Sequence, residues 1–158
     1  MRGGLLPGLA LAALLVAPMV VRAQELRVLD NFDDIAPWHA VASDGVSSTL
    51  RQVDGPDGRA LCLDYDFHGV SGYAVARRTL PMAYPANYEY TLQLRGIGPA
   101  NNLEFKLGDA SGDNVWWVQR RDVVLPSQWT PTKLKQRQIA SPGGRPPTRC
   151  CMPRRPSR

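Results

Sequence analysis

Residues 60–67 read ALCLDYDF: Leu61, Leu63, Tyr65 and Phe67 alternate with Cys62, Asp64 and Asp66. Successive side chains of a strand point to opposite faces, so a period of two predicts a strand with one apolar and one polar face. The same period recurs in NYEYTLQLR (87–95), where Tyr88, Tyr90, Leu92 and Leu94 oppose Glu89, Thr91, Gln93 and Arg95. It recurs again in NLEFKL (102–107), where Leu103, Phe105 and Leu107 oppose Glu104 and Lys106. Strands that are apolar on one side only belong to sheets packed on one face. Weaker strands are expected at 26–30, 38–42, 48–53, 73–80, 115–121 and 132–139, separated by Gly, Pro, Asp and Asn clusters. Many short strands at even spacing, with no convincing helical period, predict an all-β fold: a single β-sandwich of the jelly-roll kind.

The ends of the chain have a different composition. Arg2, an apolar run from Leu5 to Val21 and the small-residue site Val21-Arg22-Ala23 make residues 1–23 an expected signal peptide. A membrane-anchoring helix is the competing reading, and Pro7, Pro18 and the cleavage site weigh against it. The expected product is secreted or periplasmic and free of the membrane after cleavage. Residues 141–158, SPGGRPPTRCCMPRRPSR, have no apolar period, five prolines and five arginines, and predict a disordered basic tail. One base back, codons compatible with Ser-Pro-Gly-Gly also read Phe-Ala-Trp-Gly-Pro, a strand-like run. A frameshift near codon 140, costing the sandwich its last strand, is therefore the favoured reading. A genuine basic tail and a processing signal stay open beside it.

Charge and cysteine follow the same division. The chain's formal charge is +5, yet residues 24–140 hold 12 basic groups against all 14 acids, a net charge of −2. A basic chain suggests nucleic acid as partner, but here the excess sits at the ends, so the body is not expected to bind it. Cys62 is alone in the body, which excludes a disulfide-stapled domain and leaves residues 24–140 to stand on an apolar core.

Catalytic signatures are weak. His39 and His68 show no metal-ligand spacing, and Gly69-Val-Ser-Gly-Tyr73 lacks the spacing of a nucleophile elbow. Gly96 to Asn101 fails the dinucleotide fingerprint and is expected to be a turn. Asp64 and Asp66, about 6.5–7 Å apart along one strand face, could match the spacing of an inverting glycosidase. A solvated polar face is the plainer reading. Asp109-Ala-Ser-Gly-Asp-Asn114 resembles the start of a calcium loop but has Arg120 where the bidentate Glu belongs, so a hairpin turn is expected. The chain is not expected to be an enzyme.

What remains is an aromatic on a polar face. In VWWVQRR (115–121), Trp116 and Val118 share the apolar side, which leaves Trp117, Gln119 and Arg121 on the other. Sugars have apolar C–H faces edged with hydroxyls, so an exposed indole beside an amide and a guanidinium suits them. A bulge within the strand would reverse this parity by one residue.

The order NFDD…W, ALCLDYDF…SGYAVARR, NYEYTLQLRG and NVWWV…SQWTPTKL resembles the galactose-binding-like jelly rolls, and most of all the family-11 carbohydrate-binding modules. The likeness spans residues 28–139. It implies a non-catalytic module that binds a polysaccharide or oligosaccharide, covalently linked in the full-length protein to a glycosidase domain. It also implies a binding role for Tyr73, which matches the family's Gly-Tyr position, and for Trp117 and Arg121, which match its cleft strand. Asp33 and Asp34 match an acidic opening that in relatives helps hold a structural calcium. A structural sandwich docking on a neighbour domain, without glycan binding, is the alternative.

Overall fold

A computed structural model describes residues 26–139, and both the signal-like segment and the tail lie outside them. Eight strands follow one another: β1 (Trp38–Ala42), β2 (Ser47–Gly55), β3 (Gly58–Asp66), β4 (Ala74–Arg78), β5 (Glu89–Leu94), β6 (Asn101–Gly108), β7 (Val115–Val123) and β8 (Thr130–Lys135). The one helical element among the described residues is a 3-10 turn at Gln136–Gln138, too short to cross a membrane. The described residues are all-β, as the alternation requires.

The strands pair as four antiparallel ribbons, β1 with β4, β2 with β3, β5 with β8 and β6 with β7. β2–β3 and β6–β7 are hairpins, whereas β1–β4 and β5–β8 join strands that are distant in sequence. Turn chemistry selects the hairpins. Pro56 and Asp57 connect Gly55 to Gly58, which are themselves paired, and Gly58 takes a left-handed φ of 135°.

The apolar faces read for 87–95 and 102–107 meet in the core, but the face read for 60–67 does not: Tyr65 is 38% exposed, and the buried residue of that strand is Ala60, on the opposite parity. Val118, Leu134 and Ile139 form the buried core, packed against Tyr88, Tyr90, Leu92, Phe105, Leu107 and Trp116. Rings carry much of this packing, with Tyr90 4.9 Å from Phe105 and 5.7 Å from Tyr88 between centroids. The inner faces of β5, β6, β7 and β8 are not closed over. An apolar groove of about 80 Å³ runs between them, lined chiefly by Leu92, Leu94, Leu103, Phe105 and Leu134.

Two expected strands differ. Residues 26–30 form none: Leu26 and Val28 are 90% and 74% exposed, and Asp30 serves a turn instead. Its Oδ1 accepts the Phe32 backbone N–H at 2.8 Å, its Oδ2 accepts Trp38 Nε1–H at 2.8 Å, and Arg78 ion-pairs with Oδ2. Burial pushes the Asp30 carboxyl up, but these three donors outweigh it and hold the group below its ordinary range. The strand expected over 132–139 ends at Lys135. There the Gln138 side chain takes the Lys135 N–H at 2.8 Å, Gln136 N–H reaches Tyr88 O at 3.0 Å, and the curled chain buries Ile139 to 2%.

Candidate functional site

The β6–β7 hairpin presents the most sugar-like surface. Its register sets Lys106 opposite Trp117 and Glu104 opposite Gln119, all four on the face away from the core. Trp117 is 39% exposed, while Trp116 and Val118 pack inward, so the parity read from the sequence holds at this strand. The Lys106 ammonium lies 5.2 Å from the Trp117 ring centroid and 2.6 Å from a Glu104 carboxylate oxygen. Gln119 Nε2–H donates to Glu104 Oε1 at 2.7 Å. The Lys106 and Gln119 hydrogen bonds together hold the Glu104 carboxyl below its usual range despite some burial. The indole thus stands in a row of fixed donors and acceptors.

Arg121 is displaced from this pattern. Asn101 pairs with Val123 but Leu103 with Arg120, so β7 carries one extra residue and both Arg121 and Asp122 oppose Asn102. Asp122 absorbs the bulge with a left-handed φ of 52°, and its N–H reaches Asn102 Oδ1 at 3.4 Å. The exposed Arg121 therefore stands at the bulge beside Gln119's end of the row. Glu104 and Lys106 were not singled out from the sequence, since only the β6–β7 register shows them flanking Trp117.

Tyr73 lies on another ribbon. It is 53% exposed and sits just ahead of β4, bound to the end of β1: Ser43 N–H donates to Tyr73 O at 3.1 Å, and Tyr73 N–H to Ser43 Oγ at 3.0 Å. Gly72 makes this possible, because a Cβ there would overlap Ser43 Oγ and lie 2.8 Å from Val46 Cγ2. Among the described residues no hydrogen bond, ring contact or ion pair joins Tyr73 to Trp117, Gln119 or Arg121.

The carboxylates are engaged locally. Asp33 Oδ2 accepts Asn31 Nδ2–H at 2.5 Å and Asp34 Oδ1 accepts the Ala36 N–H at 2.8 Å. Among the described residues no three His, Cys, Asp or Glu side chains gather to hold a metal. A calcium ion at Asp33 and Asp34 would need backbone carbonyls, amide oxygens or water to complete its shell. Asp64 is gripped by Arg51 through Nε at 2.5 Å and Nη2 at 3.2 Å, which holds its carboxyl low, the reverse of a glycosidase acid. Asp109 closes the β6–β7 turn by accepting Asn114 Nδ2–H at 2.6 Å, Ser111 Oγ–H at 2.7 Å and the Gly112 N–H at 2.9 Å. Led by the Asn114 and Ser111 bonds, these lower it to about 2.

One cluster escaped the sequence altogether. Ser47 Oγ lies 3.0 Å from His68 Nε2, and His68 Nδ1 lies 3.4 Å from Asp66 Oδ2. Ser47 and His68 are 21 residues apart, and only the β2–β3 register, which pairs Ser47 with Asp66, brings them together.

No family model matches the sequence, and no curated protein matches it. A solved structure does: the family 11 carbohydrate-binding module of the cellulosomal cellulase Lic26A-Cel5E of Clostridium thermocellum. It is 17% identical, with 73% of this chain and 68% of that chain covered at a TM-score of 0.58. At that identity the likeness is one of fold, and the described residues have the β-sandwich fold of a family-11 carbohydrate-binding module.

Proposed function

We propose that this chain is an exported carbohydrate-binding module, without glycosidase activity of its own, that holds a polysaccharide or oligosaccharide against the outer face of β6–β7. The observation that carries this reading is the exposed Trp117 ring set among Lys106, Glu104 and Gln119. An indole stacks on the C–H face of a pyranose, and the flanking amide, carboxylate and ammonium can trade their mutual bonds for sugar hydroxyls. The similar solved structure is a carbohydrate-binding module, which supports the same ligand class. Arg121 extends the contact at the bulge end of the row in this reading, whereas Tyr73, beside β1 and β4, is a separate candidate contact. The open groove between the two core ribbons supports a further proposal, that the domain is the N-terminal part of a larger glycan-active protein in which another strand covers those side chains.

The same groove favours a second reading, a sandwich that docks on a neighbour domain and binds no glycan. Affinity electrophoresis in soluble polysaccharide gels separates the two. Retardation of the parent, unchanged by EDTA and lost in Trp117→Ala with the fold intact by circular dichroism, is the expected result. Equal retardation of Trp117→Ala overturns the site, and no retardation in any glucan, mannan or xylan gel favours docking.

A further inference from the structure

The cluster of Ser47, His68 and Asp66 lies on the β2–β3 hairpin, apart from the aromatic face. His68 and Gly69 form a type I′ turn, with φ values of 49° and 76° and the Val70 N–H on Phe67 O at 2.9 Å. That turn folds the imidazole back over Ser47 at the start of β2. Asp66 holds the same residue twice: Oδ1 accepts the His68 backbone N–H at 2.7 Å, and Oδ2 faces the ring Nδ1. A proton on Nδ1, facing a carboxylate, leaves Nε2 as the lone-pair acceptor, and the Ser47 hydroxyl stands at its hydrogen-bond distance. Ser47, His68 and Asp66 thus stand in the order nucleophile, base and carboxylate of an acyl-transfer triad, with the ring–carboxylate separation of 3.4 Å longer than a triad's hydrogen bond. Beside Ser47 lies a shallow, open depression of about 240 Å³, lined by Ser48, Thr49, Asp64, Tyr65 and Asp66 as well.

We propose that Ser47 is an activated nucleophile that takes the acyl group from small uncharged esters. Its Oγ adds to the ester carbonyl carbon while its proton passes to His68 Nε2. The ester C–O bond then breaks, and the alkoxide leaves with that proton, giving the free alcohol and an acyl-Ser47. Water, activated by the same nitrogen, adds to the acyl carbon, releasing a carboxylic acid and restoring Ser47. Asp64 at the depression is paired with Arg51, so the Asp66 carboxylate is the charge that disfavours anionic acyl groups there, and neutral ones such as acetyl are favoured. The His68 and Asp66 side chains are 56% and 67% exposed, so water reaches the acyl-enzyme freely. The activation on hand is that of a general base, about 10²–10⁴-fold, and the reaction is correspondingly slow.

The purified chain is incubated with 4-nitrophenyl acetate, nitrophenolate is followed, and quenched protein is mapped by peptide mass spectrometry. The expected result is one acetyl group on the Ser47 peptide, absent in Ser47→Ala, with the rate of its appearance down about 100-fold in His68→Asn. Asn tolerates the left-handed backbone of position 68, so that variant keeps the turn. Asp66→Asn, which preserves the acceptor for the backbone N–H, is expected to slow acetylation as well. Acetyl found on lysines and not on Ser47, or on Ser47 at one rate in parent and His68→Asn, overturns the proposal.

Discussion

Gly72 shows how one missing side chain places a candidate ligand contact. The Ser43 hydroxyl occupies the space a Cβ would take and from there accepts the Tyr73 N–H. Gly72→Ala is therefore expected to cost about 1–3 kcal/mol, as overpacking does, and to loosen the β1 end that carries Tyr73. Urea unfolding of the variant checks the first and amide exchange at Tyr73 the second. The Gly-Tyr pair was legible in the sequence as a motif, but its reason was not, since Ser43 is 30 residues away. Trp117 is the converse case. Its outward direction follows from parity with Trp116 and Val118 alone, whereas its Lys106 and Glu104 neighbours required the pairing of two strands.

The β6–β7 hairpin joins a turn, a register and a bulge in one element. Asp109 is the turn's anchor, accepting from Ser111, Gly112 and Asn114. Its folded value of about 2 lies below the ordinary 3.8, so the bonds support the turn fully above the higher value and are lost as pH falls towards the lower. The protection of the Gly112 amide, with its intrinsic exchange rate divided out, is expected to fall as pH drops through that range, and Asp109→Asn is expected to remove that change. The hairpin turn at 109–114 was expected from Asp, Ser, Gly and Asn in sequence. The bulge at Arg121 and Asp122 was not, because no Gly marks it; Asp122 adopts the left-handed backbone itself.

For the whole molecule, the described core is small. Ala60, Val118, Leu134 and Ile139 are its buried apolar residues, and the groove between the β5–β8 and β6–β7 ribbons leaves further leucines within reach of solvent. Leu134, 4% exposed, is expected to carry a large share of stability: Leu134→Ala should cost about 2–5 kcal/mol, against about 5–15 kcal/mol for a whole domain. Leu103→Ala on the groove wall should cost less than about 2 kcal/mol, because its side chain is only half covered. Denaturant midpoints of the two variants compare the sites directly, and equal losses would show that the groove is closed in solution.

By itself the sequence determined the all-β class, an expected counterpart for each of the eight strands, the inward Trp116 and the outward Trp117. Those are consequences of a period of two, a local property that any strand imposes on its own side chains. The loss of the strand at 26–30, the curl after Lys135 and the pairing of β1 with β4 and β5 with β8 were decided only in three dimensions. So was the meeting of Ser47 with His68 and Asp66. Each depends on which distant group satisfies a given backbone or side-chain atom, and a strand's alternation fixes its faces without naming its neighbours.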